Sequence, residues 1–344
     1  MSMSELSNLD EIFDSYYARG LTDGLPVIPP TPDRVEAMLQ LADRNPEEKL
    51  GIMPPNWTPV TVQKAAINAV MAGCRPEYFP VVLTALEALT DEKFNLYGVQ
   101  ATTEPDGPMV IVNGPIRNRV EMNAGYNCLG QGNRANATIG RAVRLSLINI
   151  GGGRPGDTDR ATQGFPGKFQ FCFAENEEKS AWDPLHVDRG FKADDSAVTV
   201  VAAEGSINIG DSGSKSAESL LTTIAGSITA IGANSMMGGE IVLIMCPEHS
   251  QTIARDGWSK EDAKHFLCEK ANVPLSVFPE ERARRIRQRF PDLLVEDNLG
   301  QLLFPAIKAP ENVVIVVAGG GGAHTTFCPT WGSSTRSVTK RISG

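Results

Sequence analysis

The stretch Asn123-Ala124-Gly125-Tyr126-Asn127-Cys128-Leu129-Gly130-Gln131-Gly132-Asn133-Arg134-Ala135-Asn136 gathers glycines, side-chain amides and an arginine just ahead of an apolar run. A helix N-terminus presents unpaired N–H groups and the positive end of its dipole, so such a junction suits an anion. Gly130 and Gly132 would let a ligand approach the backbone, while Asn133, Arg134 and Asn136 add donors. The expected guest is a small anion, a carboxylate above all. The spacing matches neither GxGxxG nor GxxxxGK[ST]. The competing expectation is that the glycines only allow close packing and the asparagines cap the helix.

A second loop, Gly205 to Ser216, carries Asn208, Asp211, Ser212, Ser214 and Lys215 ahead of another helical run. Asp211 and Ser212 are expected to hold the other end of a ligand or a partner subunit's loop; a hairpin-like turn with an Asp/Ser cap is the alternative. Proton carriers come from two further places. Glu175 follows the apolar segment Cys172-Phe173-Ala174 and is a general acid/base candidate, whereas Glu177 and Glu178 fit a solvated acidic turn. His324 is the first ionisable side chain after Gly319 to Gly322, and four glycines suit backbone lying against a ligand or another chain. His324 and Cys328 could serve as base and nucleophile, or as a ligand pair. The four histidines (His186, His249, His265, His324) share no metal-ligand spacing, so no metal ligand is assigned. A metal-dependent hydrolase around His324 stays as a minor alternative. Gly151 to Lys168 is a long irregular stretch with Arg154, Arg160 and Lys168, and such loops are usually functional or disordered.

These groups need a frame. Met109 to Val112, Ala197 to Ala202, Ile241 to Met245 and Val313 to Ala318 are short, β-branched and apolar throughout, as strands buried on both faces are. Helical patterns cover Leu9 to Tyr17, Pro32 to Ala42, Thr61 to Gly73, Glu77 to Leu89, Ala135 to Ile148, Ser216 to Ile231 and Ser259 to Lys270, and five arginines lie in a helical run from Arg282 to Arg289. The fold class is α/β. The expected organisation is an N-terminal arm and helix over 1–60, a first α/β half over 61–195 and a second over 196–344. Two of the strands lead through Gly-rich loops to small-residue helices, which suggests an internal duplication. Asp23-Gly24-Leu25-Pro26-Val27-Ile28-Pro29-Pro30 should run extended over the body, because its prolines fix the backbone and lack donors.

Composition bounds the partners. With 41 acidic against 32 basic residues the chain has a net charge of −9, which argues against a dedicated nucleic-acid binder. No apolar stretch approaches the roughly 20 residues of a membrane span. The six cysteines include no CxxC pair and read as free thiols, and the cytoplasm is the expected compartment. Small residues in the Thr61 to Gly73 and Ser216 to Ile231 helices suggest a homo-oligomer.

The segments Asp23 to Thr31, Gly130 to Arg141 and His324 to Arg336 resemble a bacterial family whose members accompany small proteins bearing a Sec/Cys-Gly-Ser-Cys motif. Those companions are similar to the thiol or selenol subunits of glycine-reductase-type systems. The resemblance covers nearly the whole chain and implies a small thiol- or selenol-containing partner protein. This chain has Trp331-Gly332-Ser333-Ser334 but not the redox motif, so the resemblance puts any thiol chemistry in the partner. It supplies no functional residues.

The expectation for function is an enzyme of lyase or reductase type that acts on a carbon–heteroatom bond of a small carboxylate. Arg134 and the loop amides would orient the substrate, and Glu175 or His324 would move a proton. A non-catalytic subunit of a two-component thiol or selenol system is the competing class. No cofactor is assigned.

Overall fold

The four apolar runs become fully buried strands of two sheets, three of them inner and Val313–Val317 at an edge, in a computed structural model that describes residues 3–332 and 334–343. The strands are β1 (Gly107–Asn113), β2 (Cys172–Ala174), β3 (Ala197–Ala203), β4 (Ile207–Gly210), β5 (Ile241–Met245), β6 (Val313–Val317), β7 (His324–Pro329) and β8 (Val338–Arg341). Every residue of β1, β3, β5 and β6 is buried, which is why their sequences show no alternation. The α/β class is therefore the observed one.

The chain divides into two compact units, one of Met1–Glu175, His186–Ala202 and Ser337–Gly344, the other of Asn176–Leu185 and Ala203–Arg336. These are not consecutive halves meeting at 195/196. The reason is strand pairing, since β3 joins the first unit's sheet and β8 returns from the C-terminus to pair antiparallel with it. The two strand–loop–helix stretches are not two copies of one folding unit either. The strand of the second, β3, lies in the first unit, while its helix, Ala217–Ile228, lies in the second.

The first unit's sheet has the order β8-β3-β1-β2, with β1 and β2 parallel. Its helices include Pro32–Ala42, Val62–Ala72, Phe79–Leu89 and Arg134–Asn149. The Val62–Ala72 helix stops at Gly73, whose φ of 88° suits a residue without Cβ. Ala65, Ala66 and Ala69 on that helix are fully buried, and it packs chiefly against the Arg134–Asn149 helix. Those small residues therefore serve packing inside the unit, so they no longer argue for an oligomer contact. The N-terminal arm runs along the unit as its prolines require. Arg141 grips Asp23 through Nε and Nη2, both at 2.8 Å, and Nη2 also donates to the Pro26 carbonyl at 2.8 Å.

The second unit's sheet has the order β6-β5-β7-β4, with β6 and β5 parallel and β7 antiparallel to both of its neighbours. Ala217–Ile228, Pro247–Arg255, Lys260–Lys270 and Glu280–Arg289 are its longer helices. Ser259 and Asp262 form a reciprocal capping box at the start of the Lys260 helix. Among the described residues, no helix is long and apolar enough to cross a membrane.

Candidate functional site

The loop before the Arg134–Asn149 helix is organised by its own amides. Asn133 is the N-cap, its Oδ1 accepting the Asn136 amide at 2.9 Å while its Nδ2 donates to the Glu121 carbonyl at 2.8 Å. Asn136 is 1% exposed; its Oδ1 accepts the Asn123 amide, and its Nδ2 donates to the Asn123 and Cys128 carbonyls at 2.8 and 3.1 Å. Gly130 is bare because a Cβ there would collide with the Asn127 amide, and Gly132 because its φ is 116°. Arg134 lies exposed with Nε and Nη2 on the Gly73 carbonyl at 3.1 and 2.9 Å. It caps the C-terminus of the Val62–Ala72 helix, a favourable place for a cation. The amides and the guanidinium are thus committed to chain partners, and the capping alternative describes this loop. Arg134→Ala is expected to lower stability by about 1 kcal/mol, measured by denaturant titration, and to leave ligand binding unchanged.

The loop before the Ala217–Ile228 helix holds anions of its own. Asp211 accepts from the Gly213 and Ser214 amides at 3.0 and 2.9 Å and from Ser214 Oγ at 2.7 Å. The Thr223 hydroxyl and the Ser214 amide hold its carboxyl down to about 2. Asp256 takes the Ala217 amide at 2.7 Å. One resident carboxylate therefore serves this helix end and a second holds the loop before it, and the shallow open depression lined by Gly210, Asp211, Ser214 and Thr223 is poorly suited to a further anion. Ser212 contributes its carbonyl, which accepts from Lys215 Nζ at 3.2 Å.

His249, assigned no role from sequence, fixes this loop. Its Nε2 lies 3.1 Å from the Asp211 carbonyl oxygen and its Nδ1 lies 2.8 Å from Thr325 Oγ1. A carbonyl only accepts, so Nε2 donates to it, while Nδ1 and the threonine hydroxyl share the second bond. His324 opens β7 and is exposed, opposite Gly210 of β4. Cys328 lies four residues on, about 13 Å along the strand, and is fully buried. Burial pushes its thiol up to about 12, so no thiolate forms there near neutral pH. Cys328 is not a nucleophile in this fold, and it does not pair with His324.

The remaining thiols follow the same pattern. All six cysteines are free, and burial raises the pKa of each. Cys268 alone is partly exposed. A thiol reagent added to the native protein is expected to label Cys268 first, and the other five at a rate set by unfolding; mass spectrometry of the labelled peptides checks this.

Glu175 ends β2's run and is fully buried. Its Oε2 accepts Asn113 Nδ2 at 2.6 Å and its carbonyl accepts Arg117 Nη1 at 2.7 Å. The carboxylate thus sits in a buried polar network at the carboxyl edge of the parallel β1/β2 pair. Glu175 belongs to the first unit and His324 to the second, so neither unit holds both proton carriers.

The chemistry converges elsewhere. A cavity of about 630 Å³ in the first unit is bounded by the irregular 153–169 stretch, the arm residues Gly20, Thr22 and Asp23, and one face of the Arg134–Asn149 helix. That volume suits a small metabolite. Arg144 and Ile148, one helical turn apart, face it together with Phe165, Phe169, Arg154, Asp159 and Lys168. Arg144 is 9% exposed and uses only Nε on a chain partner, the Lys168 carbonyl at 2.6 Å. Its two terminal nitrogens bond to nothing among the described residues. Burial lowers the pKa of this guanidinium, while Asp159 and Asp23 act the other way. Both carboxylates are already engaged, Asp159 by Lys168 Nζ at 2.6 Å and Asp23 by Arg141. The lining carries three cations against two carboxylates.

The irregular stretch with Arg154 and Lys168 stands out in the sequence, whereas Arg144, Asp23 and Asp159 do not. The available signal was Arg144 set within the apolar run Ala142-Val143-Arg144-Leu145, three residues after Arg141. Among the described residues, no three His, Cys, Asp or Glu side chains converge as a metal set. No protein-family model and no curated protein matches the chain, so the functional reading stands on this geometry.

Proposed function

We propose that the first unit binds a small carboxylate in this cleft and acts on it as an enzyme, moving a proton beside the carboxylate on the way to breaking a carbon–heteroatom bond. One observation carries the reading: Arg144 is nine-tenths buried, lines the cavity and keeps its terminal nitrogens without a partner among the described residues. A guanidinium fork matches a carboxylate through two parallel bonds, and such charged hydrogen bonds strengthen where water is excluded. Ile148, Phe165 and Phe169 supply apolar surface for the rest of the molecule. Lys168 and Asp159 are the neighbouring pair able to hold and release a proton.

Calorimetric titration with benzoate and with pyruvate tests the reading. Arg144→Gln is expected to weaken binding by roughly 100-fold, the loss of about 3 kcal/mol of charge-assisted hydrogen bonding. Equal affinity in the wild type and a folded Arg144→Gln variant would remove Arg144 from the site.

A further inference from the structure

Proton transfer by the Lys168–Asp159 pair does not by itself require the amine to be buried beside Arg144. Its side chain is 17% exposed and that of its partner Asp159 is 10% exposed. Enclosing such a pair returns little net stability, because desolvation offsets the Coulombic gain. The neighbourhood is more specific than an ion pair requires. A Cβ built on Gly107, at the start of β1, would stand 3.3 Å from Lys168 Cγ and 3.5 Å from Arg144 Nη2. Both cationic side chains therefore pass one point of bare backbone. Gly164 leaves similar room beside Lys168 Cδ, at 3.5 Å. The Phe165 ring lies at the same place, 3.4 Å from the Gly107 position. A lysine becomes a nucleophile when it is desolvated or set beside another cation, and Lys168 meets both conditions. Burial lowers the pKa of its amine and Arg144 pushes the same way, against Asp159 and Asp106.

Resting on the carboxylate reading above, we propose that Lys168 condenses with the carbonyl of a 2-oxo acid whose carboxylate is held by Arg144. Nζ first passes a proton to Asp159 or to water. Its electron pair then attacks the carbonyl carbon, and the carbonyl π pair moves to the oxygen, which takes up a proton. The resulting carbinolamine loses that oxygen as water as the C=N bond forms. One amine and one ketone give one imine and one water, and nothing is oxidised or reduced. The protonated imine draws electrons from the adjacent carbon, so a proton there becomes removable and a heteroatom one carbon further can leave with its bonding pair.

The test is reductive trapping on the full-length protein, with pyruvate as probe and sodium borohydride as reductant, read by intact mass and peptide mapping. One reduced pyruvyl adduct per chain, located on Lys168 and absent from Lys168→Arg, is the expected result. No adduct, or adducts spread over surface lysines and unchanged in the variant, overturns the proposal. If Lys168→Arg does not fold, the adduct's position in the wild-type peptide map decides alone. Pyruvate titration with and without Arg144→Gln separates the two readings. Arg144-dependent binding without an adduct overturns the imine alone, and loss of both overturns the carboxylate site as well.

Discussion

Asn136→Leu is expected to destabilise the first unit by about 4 kcal/mol, because it strands three backbone groups that the amide now satisfies. The side chain closes the 123–128 loop onto the Arg134–Asn149 helix through the Asn123 amide and the Asn123 and Cys128 carbonyls. At 1% exposure there is little water to replace it. Leucine is close in volume, so the loss reports hydrogen bonds rather than a cavity. Denaturant titration measures it, and Asn133→Ala provides the scale. That variant removes an N-cap bond and one donor at a half-buried site, and it should cost about 1 kcal/mol. Near-equal losses for the two would mean that the buried amide is not the organiser of the loop.

Asp23→Ala is expected to cost about 3 kcal/mol and to release the N-terminal arm. The Asp23 side chain is 3% exposed and receives two bonds from Arg141, so its removal leaves a largely buried guanidinium without its counter-ion. It also frees the Leu25 amide, which Asp23 Oδ1 accepts at 3.2 Å. Asp23→Asn keeps the shape but not the charge and should lose less. Limited proteolysis reads the release, with faster cleavage between Asp23 and Pro30 in the alanine variant. Cleavage at the wild-type rate would show that the arm is held by its prolines and the Ile28–Met71 bond without the ion pair.

Much of the frame was legible because burial imposes continuous apolar runs. Pro32–Ala42 and Ile241–Met245 have the bounds their sequences suggest, and Ser259 caps its helix as expected. Sheet membership was not legible. Whether β3 pairs with β1 or with β4 is decided by partners far along the chain, and β8 has only four residues with which to signal its place. The candidate site was half legible. Side-chain amides beside a helix start serve capping and ligand binding equally well by type, and only the distances assign Asn133 and Asn136 to capping. Arg144 was hidden for the opposite reason. An arginine in a helix ordinarily reaches solvent, and its burial arises from a loop that begins nine residues later.

The most direct test of the carboxylate cleft is a crystal of the protein soaked with 4-iodobenzoate and measured for anomalous scattering. An iodine peak is expected in the cavity near Phe165 and Phe169, with the carboxylate on the terminal nitrogens of Arg144. A peak beside Arg134 or in the depression around Asp211 and Ser214, with the Arg144 cavity holding none, would contradict it.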